Sequence, residues 1–243
     1  MRQIGFSTGA LALGDFRKAL HWLQGTSITA VELSALRDAE LPVLMGGLRD
    51  LDLRRFTYIA VHAPSRFTSL RETEAANWLR PCIDRGWPVV VHPDVVKHAD
   101  CWKPFGALLC VENMDKRKGT GRTANELDAF FEWWPDATLC LDVAHARQID
   151  PTMSHAFEIL RRFGDRLRQI HISELDVAGR HERLSLSTVL AVRRISRWIP
   201  SAVPAIIESR IGVEAIGREI AMVQSAFGEE PSKVAGMTGA LEK

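Results

Sequence analysis

Cysteine is scarce and unpaired in this sequence: Cys82, Cys101, Cys110 and Cys140 are the only four in 243 residues, and no two form a CxxC pair. Cys110 and Cys140 sit within apolar runs, where a thiol serves as a small packing group, so a reducing, cytoplasmic compartment is expected. Excess charge is missing too. Lysine and arginine total 31 against 30 acidic residues, a formal net charge of +1, so the molecule as a whole offers no strong attraction to a polyanion. No stretch approaches the ~20 apolar residues that a membrane span requires. Met1-Arg-Gln-Ile-Gly5 also lacks the apolar stretch of a signal peptide, and a soluble protein is expected. Gly119-Thr-Gly121 lacks the lysine and strand context of a phosphate-cradling loop, and no Gly-x-Ser-x-Gly elbow occurs.

What is present is a repeated pattern of apolar runs that end on a metal-ligand residue type. Tyr58 to His62, Val89 to His92, Leu108 to Glu112, Thr138 to Asp142, Leu167 to His171 and Ala205 to Glu208 all read this way. A lone buried His or Glu is usually a satisfied core residue. Six at the same end of six strands point instead to one shared pocket. The sixth run continues as Asp142-Val-Ala-His145, which sets a carboxylate and an imidazole three residues apart.

Strands are predicted at 3–7, 28–33, 58–62, 87–92, 108–112, 138–142, 167–171 and 203–208. Helical signals fall between them. Asp15 stands as N-cap before Phe16, Ala19, Leu20 and Leu23; a leucine-rich stretch over 41–53 is interrupted by Gly46-Gly47; Ser69 and Glu72 form a capping-box pattern for a helix through Leu79, with Pro81 near its end. Only a short helical stretch, 95–102, separates the fourth and fifth strands. Thr123 and Glu126 cap a helix to Trp133, Asp150-Pro151 opens one carrying Met153, Ala156, Phe157 and Leu160, and two more follow at 187–198 and 213–227.

Eight strand–helix alternations in one chain of this length predict an α/β fold, a single parallel (β/α)8 barrel over residues 1–228, with 229–243 as a mobile tail. An open doubly wound sheet is the rival, but it would hold the third and eighth strands too far apart to share a site. In a barrel, chemistry sits at the carboxyl ends of the strands, where these candidate residues lie. Glu112, Asp142 and Glu208 would converge there, and like charges so placed need a cation or a proton between them. His171 adds a nitrogen, and a mixed Glu, Asp, His set suits Zn²⁺, Mn²⁺ or Co²⁺ better than the oxygen-seeking Ca²⁺.

These residues together resemble the xylose isomerase-like barrels, a superfamily that includes endonuclease IV. The resemblance rests on His62, His92, Glu112, Asp142-Val-Ala-His145, His171, Gly179-Arg-His181 and Glu208. In the endonuclease IV branch it implies one metal on His62, His92 and Glu112, and a second on Glu112, Asp142, His171 and Glu208, with Glu112 bridging. A third metal is implied on His145 and His181 together with an aspartate, but this sequence has Gly179 where the family motif has that aspartate. Asp176 or Glu182 is the nearby alternative oxygen. In the sugar isomerases and epimerases of the same superfamily, the resemblance implies a single metal on Glu112, Asp142, His171 and Glu208, with Glu112 and Glu208 as the catalytic acid/base pair.

Two enzymatic functions follow as expectations. The leading one is divalent-metal-dependent hydrolysis of a phosphoester at two metals, Zn or Mn, with a third as an open question. Lys116, Arg117, Arg180 and Arg210 would then hold an anionic substrate, and solvation is their plain alternative. The second is isomerisation or epimerisation of a sugar or polyol at one metal. There, His62 would serve a sugar hydroxyl, His92 would support a ligand and His181 would be a solvated loop residue. A barrel that only binds a ligand or partner is a third possibility, disfavoured because it would have no reason to keep three converging carboxylates. DNA is a family implication that the near-neutral charge does not favour. Oligomeric state is not legible in the sequence.

Overall fold

The structure is a computed structural model that describes residues 1–35 and 37–229. The expected tail lies almost wholly at 230–243, outside the described residues. Eight parallel strands close into a barrel: β1 (Ile4–Ser7), β2 (Ala30–Ser34), β3 (Tyr58–His62), β4 (Val89–Val91), β5 (Leu109–Glu112), β6 (Thr138–Asp142), β7 (Leu167–Ile172) and, after a small antiparallel hairpin of β8 (Glu174–Leu175) and β9 (His181–Glu182), β10 (Ala205–Ile207). β1 pairs with both β2 and β10, so neither has a free edge. The predicted (β/α)8 fold is the observed one.

Strand periodicity explains how the site is stacked. Alternate residues of a strand face opposite sides, so the residue two before each strand-end candidate lies one tier lower on the same side. Val90, Cys110 and Cys140 form a small apolar plug in that lower tier, below His92, Glu112 and Asp142, while the other face of the strands joins the large core shared with the helices. Gly5 is required where β1 crosses β2, because a Cβ there would collide with the Ala30 carbonyl. A register shift between β6 and β7 at Leu139/Cys140 sets Asp142 level with His171.

The connections depart from expectation in instructive places. Between β4 and β5 there is no α-helix: Pro93 and Pro104 lie within short 3-10 turns, Pro93–Val95, Ala99–Cys101 and Lys103–Leu108, in a crossover too short and proline-broken for more. Ser69 does not cap the next helix. Its N–H donates to Asp38, the helix Glu72–Leu79 starts later, and Glu72 turns inward to accept from Lys97 N, His98 N and Trp102 Nε1. Asp150 likewise closes a turn onto Thr152 and His155, so the helix begins at Ser154 rather than at Pro151. The Asp15 and Thr123 caps are as expected, accepting from Lys18 N and Glu126 N. The Gly46-Gly47 interruption is a switch from the α-helix Leu41–Gly46 to the 3-10 helix Gly47–Asp50. No helix among the described residues is long and apolar enough to cross a membrane.

Candidate metal centre

Glu112, the last residue of β5, is the hub at the carboxyl end of the barrel. Its Oε2 lies 3.1 Å from His62 Nε2 and 3.3 Å from His92 Nε2, and its Oε1 lies 3.1 Å from His145 Nδ1. His62 Nδ1 donates to the Ala63 carbonyl at 2.6 Å, which fixes the ring so that Nε2 is the nitrogen turned to the carboxylate. His92 stands just past the end of β4, with Asp94 Oδ1 4.0 Å behind its Nδ1. Burial opposes ionisation of Glu112, yet His92 and His171 hold it well below the usual carboxylate range. Burial also opposes a proton on His62, but Glu112 and Glu32 push that ring up to about 9. These protons neutralise the same carboxylate that a bound cation would.

Asp142 ends β6 and also caps the helix Val143–Ile149: its Oδ1 accepts the His145 N–H at 2.7 Å. Strand end and helix start coincide, and the three-residue spacing therefore returns His145 to the site. Asn113 fixes this corner, donating to the Asp142 carbonyl at 3.0 Å and accepting its N–H at 2.7 Å, while the Asn113 carbonyl takes the His145 Nδ1 proton at 2.9 Å. Burial pushes Asp142 up to about 6. His145 is pushed up to about 10, burial opposing and Asp142 then Glu112 favouring its charge.

His171 lies with Nδ1 3.4 Å from Glu208 Oε2 and 3.6 Å from Glu112 Oε2. On the far side of its ring is Glu32, fully buried, with Oε2 2.9 Å from Nε2. Glu32 was not among the sequence candidates. It sits two residues short of the end of β2, so a search of strand ends passed over it, although a lone carboxylate in the run Ala30-Val-Glu-Leu-Ser34 was its visible signal.

Two groups of potential ligands share one residue. His62, His92 and Glu112 form one, and Glu112, Asp142, His171 and Glu208 form the other; within each, the ligand atoms lie within 4.8 Å of one another. Glu32, His62, His171 and Glu208 make a further overlapping group, as do Glu112, Cys140 and His171. Asp142 Oδ2 and His171 Nδ1 are buried with no hydrogen-bond partner. Buried polar atoms are nearly always satisfied, so orphans clustered among carboxylates and imidazoles fit a cation site.

His145 and His181, the residues of the implied third metal, have ring centroids 6.1 Å apart, but neither joins a group of three ligands among the described residues. His181 Nδ1 instead pairs with Ser173 Oγ at 2.8 Å. Asp176 is engaged within the hairpin turn by Ala178 N, Arg180 N and Arg180 Nε. Gly179 is in the left-handed region at φ 72°, and the Arg117 guanidinium fills the volume into which a side chain there would project. Arg117 binds Asp115 through Nε at 2.9 Å and Nη2 at 2.7 Å, and also meets the Ala178 and Gly179 carbonyls.

Above these ligands opens a cavity of about 240 Å³. His62, His92, Glu112, His145, His181 and Glu208 reach its surface, with Arg180 and Arg210 on the rim, Ser7, Ser34 and Ser65 among its hydroxyls, and Gly9, Ala10 and Leu13 on an apolar wall. Lys116 is exposed and Arg117 is engaged with Asp115, and neither lines the cavity.

Over 93% of this chain and 99% of its own, a solved structure from Thermus thermophilus superposes with a TM-score of 0.62 at 17% identity. That protein is endonuclease IV. The chain shares its fold, and the resemblance to the xylose isomerase-like barrels holds at that level. A protein from Parabacteroides distasonis is similar over 92% of this chain and 98% of its own, with a TM-score of 0.55 at 15% identity. No protein-family model matches the sequence, and no curated protein matches it.

Proposed function

We propose that this protein is a divalent-metal-dependent hydrolase of small phosphoesters. The observation that carries the reading is the sharing of Glu112 by two ligand groups, His62–His92–Glu112 and Glu112–Asp142–His171–Glu208. A site that used one metal would have no coordination need for His62 and His92, yet both turn Nε2 to Glu112 at 3.1 and 3.3 Å. Zn²⁺ or Mn²⁺ suits the mixed nitrogen and oxygen set, and when bound would supply Lewis acidity toward a phosphoryl oxygen. Glu112 would bridge the two ions, His62 and His92 would complete the first, and Asp142, His171 and Glu208 the second. Arg180 and Arg210 on the rim would hold the anionic group, and the apolar wall at Gly9, Ala10 and Leu13 would exclude water beside it. That the structural neighbour is an endonuclease supports phosphodiesters as the substrate class. A cavity of about 240 Å³ and a net charge of +1 favour a small substrate over duplex DNA. The four free thiols suit a reducing cytoplasm.

A second reading, sugar or polyol isomerisation with Glu112 and Glu208 moving protons, is favoured by the hydroxyl groups of Ser7, Ser34 and Ser65 around the same cavity. His92→Ala separates the two. Wild-type protein loaded with Zn²⁺ or Mn²⁺ should turn over aryl phosphoesters, and His92→Ala should lose that turnover by at least ~100-fold while keeping one metal per chain, because the first ion would retain only two protein ligands. Ketose interconversion that survives His92→Ala, with no phosphoester turnover by wild type, would replace the hydrolase reading with the isomerase one.

A further inference from the structure

A chain of polar side chains runs beneath the ligand tier, through a part of the barrel that is otherwise apolar. Tyr58 OH donates to Gln169 Oε1 at 2.6 Å, Gln169 Nε2 donates to Glu32 Oε2 at 2.7 Å, and the same Glu32 oxygen faces His171 Nε2 at 2.9 Å. Gln169 and Glu32 are fully buried, and they bear on His171, whose Nε2 lies 2.9 Å from a Glu32 oxygen and whose Nδ1 lies 3.4 Å from a Glu208 oxygen.

The tautomer of His171 hangs on this arrangement. The Glu32 carboxylate can only accept, so the Gln169 amide nitrogen turns toward Glu32 Oε2 and His171 Nε2, the latter 2.8 Å away, and the Gln169 carbonyl oxygen takes the Tyr58 hydroxyl proton. His171 Nε2 therefore has two possible partners. It can donate to Glu32, or it can accept from Gln169. The charge-assisted bond to a carboxylate is roughly twice as strong as a neutral one, so donation to Glu32 prevails. Nε2 then keeps its proton, and Nδ1, which has no hydrogen-bond partner, is the nitrogen turned toward Glu112 and Glu208.

We propose that Glu32 is a positioning residue that keeps His171 in the Nε2–H form and so leaves Nδ1 free to ligate a cation with Glu112, Asp142 and Glu208; this rests on the metal-dependent reading above. Removal of the Glu32 carboxylate leaves the Gln169 amide, a donor, as the partner of Nε2. The proton then moves to Nδ1 and closes the ligand position. A purely structural Glu32 would produce no such inversion.

The test compares wild type, Glu32→Ala, Glu32→Gln and the double variant Glu32→Ala/Gln169→Leu by chelator competition for Zn²⁺ and by the side-chain nitrogen resonances of His171, with thermal unfolding to establish that each is folded. Glu32→Ala should lower Zn²⁺ affinity by about 10- to 100-fold, the range for losing a carboxylate behind a metal-bound histidine, with its imidazole proton on Nδ1. Glu32→Gln keeps an acceptor at the same place and should lose less. Gln169→Leu removes the competing donor and should restore part of the affinity that Glu32→Ala loses. Wild-type affinity in a folded Glu32→Ala protein, or no recovery in the double variant, overturns the assignment of Glu32 alone. Wild-type protein that takes up no Zn²⁺ overturns the metal reading itself.

Discussion

Neutralising Asp142 should stabilise the metal-free protein and destabilise the metal-loaded one, a reversal of sign that ordinary packing or capping losses do not produce. Asp142 is fully buried, and burial raises its carboxyl group to about 6 from an ordinary 3.8. A folded-state pKa above the unfolded value means that the folded form holds the proton more tightly, so the carboxylate costs stability as pH rises from ~4 through ~6. At ~1.4 kcal/mol per pH unit, the cost is on the order of 2 kcal/mol at pH ~5 and on the order of 3 kcal/mol at pH ~8. Asp142→Asn removes it while keeping a side-chain oxygen that can accept the His145 N–H, since Asn caps helices as well as Asp does. For a chain of this size, the gain at pH ~8 corresponds to a rise of roughly 6 °C or more in the unfolding midpoint of apo protein, shrinking as pH falls. In Zn²⁺-loaded protein the same change removes a ligand oxygen and should lower the midpoint through weaker linkage. Thermal scans of both proteins, stripped and loaded, at pH ~5 and ~8 decide it. An apo Asp142→Asn protein less stable than wild type at pH ~8 would refute the reasoning and mark Asp142 as a structural acceptor.

Asp38, 1% exposed, accepts the N–H groups of Thr68, Ser69 and Leu70 at 2.6, 2.6 and 2.8 Å, and its carboxyl sits at about 2, burial opposing and the backbone donors prevailing. A depressed pKa contributes stability above ~4 that is lost as pH falls through ~2, so Asp38→Ala should flatten this part of the acid limb and lower stability near neutrality by about 2–4 kcal/mol in denaturant titration; unchanged stability would refute its stapling role. Arg210 is exposed at the cavity rim with no bond recorded to any described residue, so Arg210→Ala should raise the KM for an aryl phosphoester by about tenfold or more and leave the unfolding midpoint unchanged. An unaltered KM would remove Arg210 from the substrate site.

The barrel was legible because its strands are short, buried on both faces and end abruptly in polar residues, so that both the strand and its functional end show in the composition. His92 illustrates the margin: it lies one residue beyond β4, yet the run before it still located it. Glu32 escaped because strand position alone does not say where along a tilted barrel strand the candidate residues fall, and the level of β2 is set by its pairing of Glu32 with Ala60, two residues before His62 on β3. The helix starts at Ser69 and Asp150 were misread for a related reason. Each matches a local capping pattern, but Ser69 N is taken by Asp38 from a neighbouring connection, and the Asp150 side chain closes onto its own turn before the helix begins.

The packing of Arg117 into the space beside Gly179 ties these two positions together. An aspartate at 179 must enter a volume that holds a guanidinium and adopt a left-handed backbone, while the loss of Arg117 alone leaves Asp115, 1% exposed, without the partner that keeps its carboxyl near 2. The two positions are therefore coupled through one guanidinium, and a substitution at either is felt at the other.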